Sequence, residues 1–332
     1  MSRAVKFIAS LLFLVASLLL ASLAWWLQHP LDLKAETVEL TVEPGAGART
    51  VVRALADGGV QVQPQVLYWW IRLSGESRQL KAGSYEISGS PTPRTLVNKL
   101  VRGEVAQRNV TLVEGLTFSQ WRELLAKADR LKPETRDLSD ATIMEKLGRP
   151  GVHPEGRFFP TTYTYAKGSS DLALLRRAML EMDQRLAAAW AQRAPDIPLK
   201  NPDEALILAS IVEKETGRPS DRGEISGVFN NRLRIGMLLQ TDPTVIYGLG
   251  AKFDGNLRKR DLQTDTPWNT YTRSGLPPTP IAMPGQDALL AAVQPAQTRA
   301  LYFVSRGDGT SEFSATLDAH NRAVRKYQLG QR

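Results

Sequence analysis

The sequence has no cysteine, which excludes disulfides, thiol nucleophiles and thiolate metal sites. It has three histidines, His29, His153 and His320, and none stands at metal-ligand spacing from another. H-E-x-x-H, G-x-S-x-G, S-x-x-K and P-loop patterns are absent. A Ser-His-Asp site would have to rest on His153 or His320. Lys and Arg are scattered, with Arg258-Lys259-Arg260 the one short basic run. Without a basic tract or zinc spacing, nucleic acid is not an expected partner. No pattern calls for a cofactor or a metal. Carboxylate chemistry is what these absences leave.

At 332 residues the chain can hold more than one domain and a sizeable core. Apolar residues make up 42% and charged residues 23%, an ordinary balance for a globular protein. A formal charge of +8 suits an anionic polymer or an anionic lipid surface. Phe7 to Leu27 carries no charge, and it has about the 20 residues that a helix needs to cross a bilayer. Arg3 and Lys6 precede it, and Trp25 and Trp26 sit near its far end as an interface belt would. The flanking charges predict a single-pass protein with its N-terminus in the cytoplasm and everything after residue 30 outside. The alternative is a signal peptide cleaved at Ser22-Leu23-Ala24. The apolar run is longer than the roughly 7–15 residues of a signal core, which favours an uncleaved anchor.

Thr37 to Val42 alternates and predicts a strand, with a turn over Glu43 to Gly47. Helices are expected over Thr50 to Ala56, stopped by Gly58-Gly59, over Gln65 to Leu73 with Leu67, Trp70 and Ile71 inward, and over Thr92 to Val101. Lys81 to Ile87 reads as a turn plus a strand, and Val105 to Val113 as a strand. The order of these elements resembles a LysM-like module, which binds glycan; a plain spacer is the alternative. Phe118 to Ala128 and Asp140 to Leu147 look helical. His153 to Tyr165 is aromatic, contains Pro and reads as a loop, of a kind that stacks on sugar rings or simply packs. A long helix runs from a Ser170 or Asp171 cap to about Ala191, with Leu175, Met179, Met182, Leu186 and Trp190 as its buried stripe.

The chain is organised around Ala205 to Thr216, an apolar run that ends in Glu213 and Glu215. Asn201-Pro202-Asp203-Glu204 supplies the start of a helix and Gly217 with Pro219 its stop. Leu206, Ile207, Leu208, Ile211 and Val212 do not share one face, and a helix apolar all round is buried. A carboxyl emerging from such a helix is partly desolvated, which raises its pKa and suits a general acid. Glu213 and Glu215 point to roughly opposite sides, one toward a cleft and the other toward solvent or a basic partner. A helix end fringed with solvated charges is the plain reading of the same residues. Ser220-Asp221 can cap the next helix, with Ile225, Val228, Phe229 and Leu233 inward. Gln240, Thr241 and Asp242 follow at a Pro turn, and a Pro-rich loop spans Trp268 to Gly285. Asp287 to Val293 reads as a helix, Ala300 to Ser314 as a hairpin around Arg306-Gly-Asp-Gly309, and Ala315 to Tyr327 as a closing helix.

Several of these stretches resemble the YceG-like family. They are Ala209-Ser-Ile-Val-Glu-Lys-Glu-Thr216, Val228-Phe-Asn-Asn-Arg-Leu233, Gly236-Met-Leu-Leu-Gln-Thr-Asp-Pro-Thr-Val-Ile-Tyr247, Asn269-Thr-Tyr271, Gly275-Leu-Pro-Pro278 and the closing Tyr302-Phe-Val with His320-Asn321. The resemblance implies an α+β fold: a cytoplasmic tip and transmembrane anchor over 1–30, a small LysM-like α+β module over 35–115, and a mostly helical catalytic domain with a small sheet over 116–332. It implies a periplasmic enzyme that cuts nascent peptidoglycan strands internally, between N-acetylmuramic acid and N-acetylglucosamine, without water. Such cleavage leaves 1,6-anhydro ends and would set strand length by terminating elongation. One carboxyl then serves as acid and base. The Glu-Thr pair carries that role to Glu215 rather than Glu213. Gln240, Thr241, Asp242, Tyr247, Asn269 and Tyr271 match positions expected to line the glycan cleft. The chain departs from the family pattern at Thr161, where an Asp is common, and at Met283, where an Asn is common. The expected partners are peptidoglycan glycan strands, the inner membrane and, as a candidate, peptidoglycan synthases (penicillin-binding proteins). Two other readings remain open: a non-catalytic glycan-binding scaffold that recruits such a synthase, and a hydrolase with a second carboxylate such as Asp242.

Overall fold

The computed structural model describes residues 3–330. The chain divides into two units, 1–108 with 164–169, and 109–163 with 170–332. The fold is a mixture of helices and small two-stranded sheets.

In the first unit, α1 (Arg3–Gln28) presents Phe7, Leu12, Phe13, Leu18, Leu19 and Leu20 outward. Among the described residues it is the one helix long and apolar enough to cross a membrane. The strands β1 (Thr37–Val42) and β2 (Gly83–Ser88) pair antiparallel, Thr37 opposite Ser88 and Val42 opposite Gly83. Alternation turns Val38, Leu40, Val42, Tyr85 and Ile87 to one buried face. Three helices cover it. α2 (Ala48–Gly58) contributes Val51, Val52 and Leu55; α3 (Pro64–Leu73) contributes Leu67 and Ile71; α4 (Pro93–Arg102) contributes Leu96, Val97 and Leu100. Gly59 ends α2 at φ +110, a conformation that side chains rarely adopt. Thr92 caps α4 by accepting from the Thr95 amide. A 3-10 turn, Glu76–Arg78, leads into β2.

β3 (Gln107–Leu112) pairs with β4 (Thr161–Ala166), and the division of the chain falls within both strands. β4 corrects the loop expected over His153 to Tyr165. Thr161-Thr-Tyr-Thr-Tyr-Ala166 alternates, and Tyr163 and Tyr165 are the buried set. Phe158 is buried and stacks on Phe118 with ring centroids 5.1 Å apart. The aromatics of this stretch therefore pack. Thr161 stands exposed.

The second unit begins with α5 (Phe118–Lys127), α6 (Asp140–Lys146) and α7 (Asp171–Ala191), the last capped by Ser170. At its centre is α8 (Pro202–Glu215), started by the Asn201 side chain accepting from the Glu204 amide. Leu206, Leu208, Ala209, Ile211 and Val212 are fully buried there, so the all-round apolar run does form a core helix. Ser210 is polar and buried, but its Oγ donates to the Ile207 carbonyl and accepts from the Ile281 amide. That bond docks the Pro-rich loop on α8, and Ile281, Ala282 and Met283 are buried behind it.

α9 (Pro219–Arg234) starts earlier than expected. Pro219 occupies its first turn, where a missing N–H costs nothing, and Arg218 takes the cap position. Asp221 instead accepts from the Ser311 amide at 2.8 Å. Gly227 sits where a Cβ would lie 2.6 Å from Thr298 Cγ2 and 2.9 Å from the Ala296 carbonyl oxygen. Gly227→Ala is expected to destabilise by about 1–3 kcal/mol through overpacking, despite the better helix propensity of Ala. Chemical denaturation at equal m-value checks this.

α10 (Asp242–Leu249) corrects the Pro turn expected at Asp242-Pro243: these residues open a helix with Thr241 as its cap. A 3-10 turn, Gly250–Lys252, and the short α11 (Lys259–Gln263) follow. α12 (Gln286–Val293), the antiparallel hairpin β5 (Tyr302–Ser305) and β6 (Ser311–Ser314), and α13 (Leu317–Tyr327) complete the unit.

Candidate active site

The two acids that end α8 have different surroundings. Glu213 accepts from the Gly285 amide at 2.9 Å and so pins the Pro-Gly end of the loop. Burial raises its pKa. Glu215 lines a cleft of about 1170 Å³ together with Gln240, Thr241, Asp242 and Tyr271. The opposite wall is the β5–β6 hairpin and one face of α13, including Tyr302, His320 and Asn321.

Glu215 is the last helical residue, at the negative end of the α8 dipole, where a carboxylate is disfavoured. Burial pushes its carboxyl up to about 7 from an ordinary 4.5, and Asp242 nearby adds to the shift. The Thr241 hydroxyl donates to Glu215 Oε1. With that oxygen occupied as an acceptor, the acidic proton belongs on Oε2.

Thr241 is held from several sides. Its amide donates to Thr270 Oγ1 at 3.1 Å, and its carbonyl accepts from Thr244 Oγ1 at 2.8 Å. Gln240, just before it, has a φ of +47 and donates its amide to the Thr270 carbonyl. A non-glycine residue in this region is strained and persists where its neighbours hold it, often beside a ligand site. Tyr271 Oη donates to Asp242 Oδ1 at 2.6 Å.

Asn269 and Tyr247 are not among the lining residues. Asn269 is 0% exposed. Its amide nitrogen donates to the carbonyls of Asp261, Leu262 and Thr264, and its oxygen accepts from the Tyr271 amide. It shapes the loop that presents Tyr271. Tyr247 packs edge-on against Trp268, and its hydroxyl donates to Glu155 Oε2 at 3.1 Å. Glu155 is buried, caps the start of α5 by accepting from the Phe118 amide, and is pushed up to about 7 by burial.

Sequence reasoning missed Arg232. It is 6% exposed, yet it lines the cleft. Its Nε donates to the Leu301 carbonyl at 2.7 Å and its Nη1 to the Leu239 carbonyl at 2.6 Å. Its guanidinium lies 5.4 Å from the centroid of Tyr302, which in turn stacks on His320. Its hydrogen bonds go to main-chain carbonyls, and Glu215 is the carboxylate whose charge acts on it. The signal was available: Arg232 falls at i+3 from Phe229, i+4 from Val228 and i+7 from Ile225, on the apolar face of its helix. A charge placed there needs partners or a purpose.

The profile of the YceG-like family matches residues 40–326. The chain belongs to the YceG-like family. Its similarity to other YceG-like sequences runs along most of its length. It is 30% identical over 308 residues to the endolytic murein transglycosylase of Bacillus subtilis strain 168, covering 88% of this chain and 85% of that protein. It is 26% identical over 335 residues to the endolytic murein transglycosylase of Streptococcus pneumoniae serotype 2, covering 90% of this chain but 60% of the longer pneumococcal protein. The crystal structure of a yceG-like protein from Listeria monocytogenes superposes with a TM-score of 0.54 at 28% identity, over 86% of this chain and 98% of that one.

Proposed function

We propose that this chain is a membrane-anchored endolytic murein transglycosylase in which Glu215 is both acid and base. The observation that carries this reading is one carboxyl, Glu215, held by the Thr241 hydroxyl at the wall of a cleft of about 1170 Å³ and pushed up to about 7 by burial. Small-molecule pockets are typically about 300–1,000 Å³. The relatives' names supply the substrate class.

In the first step neutral Glu215 gives its proton to the glycosidic oxygen, and the bond from that oxygen to the muramyl C1 breaks. The leaving N-acetylglucosamine departs with a free 4-hydroxyl. The Glu215 carboxylate then takes the proton of the muramyl 6-hydroxyl as that oxygen closes on C1. The carboxyl is restored, no water is consumed, and a 1,6-anhydro end results. Tyr271 and Asp242, bonded to each other on the cleft wall, supply donors and acceptors for sugar hydroxyls. Gln240 adds a flexible amide.

Asp242 also gives the hydrolase reading its one support, a second carboxylate in the same cleft. Hydrolases hold their two carboxyls about 5–9.5 Å apart and release reducing ends. The outward apolar surface of α1 supports a membrane span, and Arg3 and Lys6 ahead of it support an N-terminus in the cytoplasm with the remainder outside. The strand-helix-helix-strand order of β1, α2, α3 and β2 supports a LysM-like, glycan-holding role for the first unit.

The test is digestion of uncrosslinked glycan strands, with chain-length distribution and end groups read by mass spectrometry. Internal fragments bearing 1,6-anhydro ends are expected. Release of single disaccharides from strand ends would overturn the endolytic assignment, and binding without cleavage would turn the reading to a scaffold.

A further inference from the structure

α3 is apolar over more of its circumference than its core contact uses. Leu67 and Ile71 are buried, but Val66, Trp69 and Leu73 are 36%, 54% and 81% exposed. Their spacing of three and four places them on one strip. Single exposed apolar residues need no explanation, whereas a strip holding Trp and Leu marks a contact surface.

Its place in the chain says what the strip meets. Asp32 lies four residues beyond Gln28, where α1 ends, so it stands within about 14 Å of that end. The Asp32 carbonyl accepts from the Gln61 amide at 2.8 Å, and the Lys34 amide donates to Gly59 at 2.9 Å. Gln61 is three residues before α3 begins. Trp26, near the end of α1, packs on the same core cluster as Leu67 and Ile71, as do Tyr68 and Trp70 of α3. The run of α3 contains no acidic residue and includes Arg72. Arg72 and Arg78 are exposed, and Arg49 lies 5.0 Å from the ring centroid of Tyr68.

We infer that α3 lies in the surface of the bilayer that α1 spans, with Trp69 at the level of the headgroups, Val66 and Leu73 just below it and Arg72 and Arg78 on anionic lipid phosphates. Trp at the headgroup level, Leu below and Arg above is the pattern of an interfacial helix. The chain then has two membrane contacts, and the second holds the first unit against the bilayer. This inference rests on the proposed reading of α1 as an anchor.

The absence of cysteine makes the test direct. Full-length protein carrying Trp69→Cys, Leu73→Cys or Leu18→Cys is labelled with a nitroxide. It is then reconstituted into vesicles of phosphatidylcholine with a minor fraction of phosphatidylglycerol. Relaxation by oxygen, which concentrates in lipid, is compared with relaxation by a water-soluble nickel chelate. The expected result is an oxygen-to-nickel ratio at positions 69 and 73 several-fold above that of Asp57→Cys, an exposed position on α2, and approaching that at 18. A high ratio at 18 with a low one at 73 would overturn the α3 contact and leave the anchor standing. A low ratio at 18 would remove the anchor and the inference with it. Shielding of position 73 from both reagents would assign the strip to a protein partner or a second copy instead.

Discussion

Glu215→Gln loses cleavage by at least about 10³-fold, with substrate binding little changed. General acid–base catalysis by one group contributes about 10²–10⁴-fold, and in the proposed mechanism the same group acts in both steps. Gln is nearly isosteric and still offers an oxygen to the Thr241 hydroxyl, so the fold and cleft are kept. The same substitution makes the protein more stable at high pH. The carboxyl titrates near 7 when folded and near 4.5 when unfolded. Below the lower value both states hold the proton and nothing is lost. Between the two values the unfolded state releases its proton first, so stability falls as pH rises, by about 1.4 kcal/mol per unit. Above the upper value the loss is constant, at most about 3–4 kcal/mol. Gln never ionises. The variant should therefore match the wild type at pH below the unfolded value and melt higher than it above neutrality. Thermal melts at the two ends of that window, beside an activity assay, check both halves. Equal loss of stability at every pH would mean that the substitution disrupts packing, and the loss of activity would then say nothing about the acid.

The second large effect is at Arg232. It joins Leu239, which leads into Gln240 and Thr241, to Leu301, which leads into the hairpin wall. It therefore braces both sides of the cleft around Glu215. Its charge also lowers the Glu215 pKa, opposing burial, and is at hand when Glu215 becomes a carboxylate midway through the proposed reaction. Arg232→Met is expected to cut turnover by about 10²-fold, the cost of a misplaced reacting group. Without the nearby cation the Glu215 proton is held more tightly, so the alkaline limb of the activity profile moves to higher pH. Arg232→Lys keeps the charge but loses the two-sided fork; turnover falls while the limb stays near its original position. Turnover measured across pH for both variants separates the two roles. A limb that stays in place in the Met variant would reduce Arg232 to a brace alone.

Much of this was legible in the chain itself. The limits of β1 and the start of α8 follow from alternation and from Asn201-Pro202, because both signals are local. The all-round apolar run of α8 correctly implied burial, and burial is what raises the Glu215 pKa. What local pattern could not show was which groups meet. Asp242-Pro243 suits a turn and a helix start equally, and in the structure it opens α10, with Thr241 at the N-cap position and its hydroxyl turned to Glu215. Tyr247 and Asn269 stand beside cleft residues in sequence but turn inward, one to buried Glu155 and the other to three carbonyls of its own loop. Tyr302 and His320 are remote in sequence from Glu215, and only the packing of the hairpin and α13 brings them to the same cleft.

In the proposed reaction the muramyl 6-hydroxyl, and not water, attacks C1. Cleavage in ¹⁸O-enriched water, with the new muramyl ends weighed by mass spectrometry, separates the two. Anhydro ends with no ¹⁸O are expected. Ends carrying one ¹⁸O at C1 would contradict that reaction and make the enzyme a hydrolase, with Asp242 as the carboxylate to pursue.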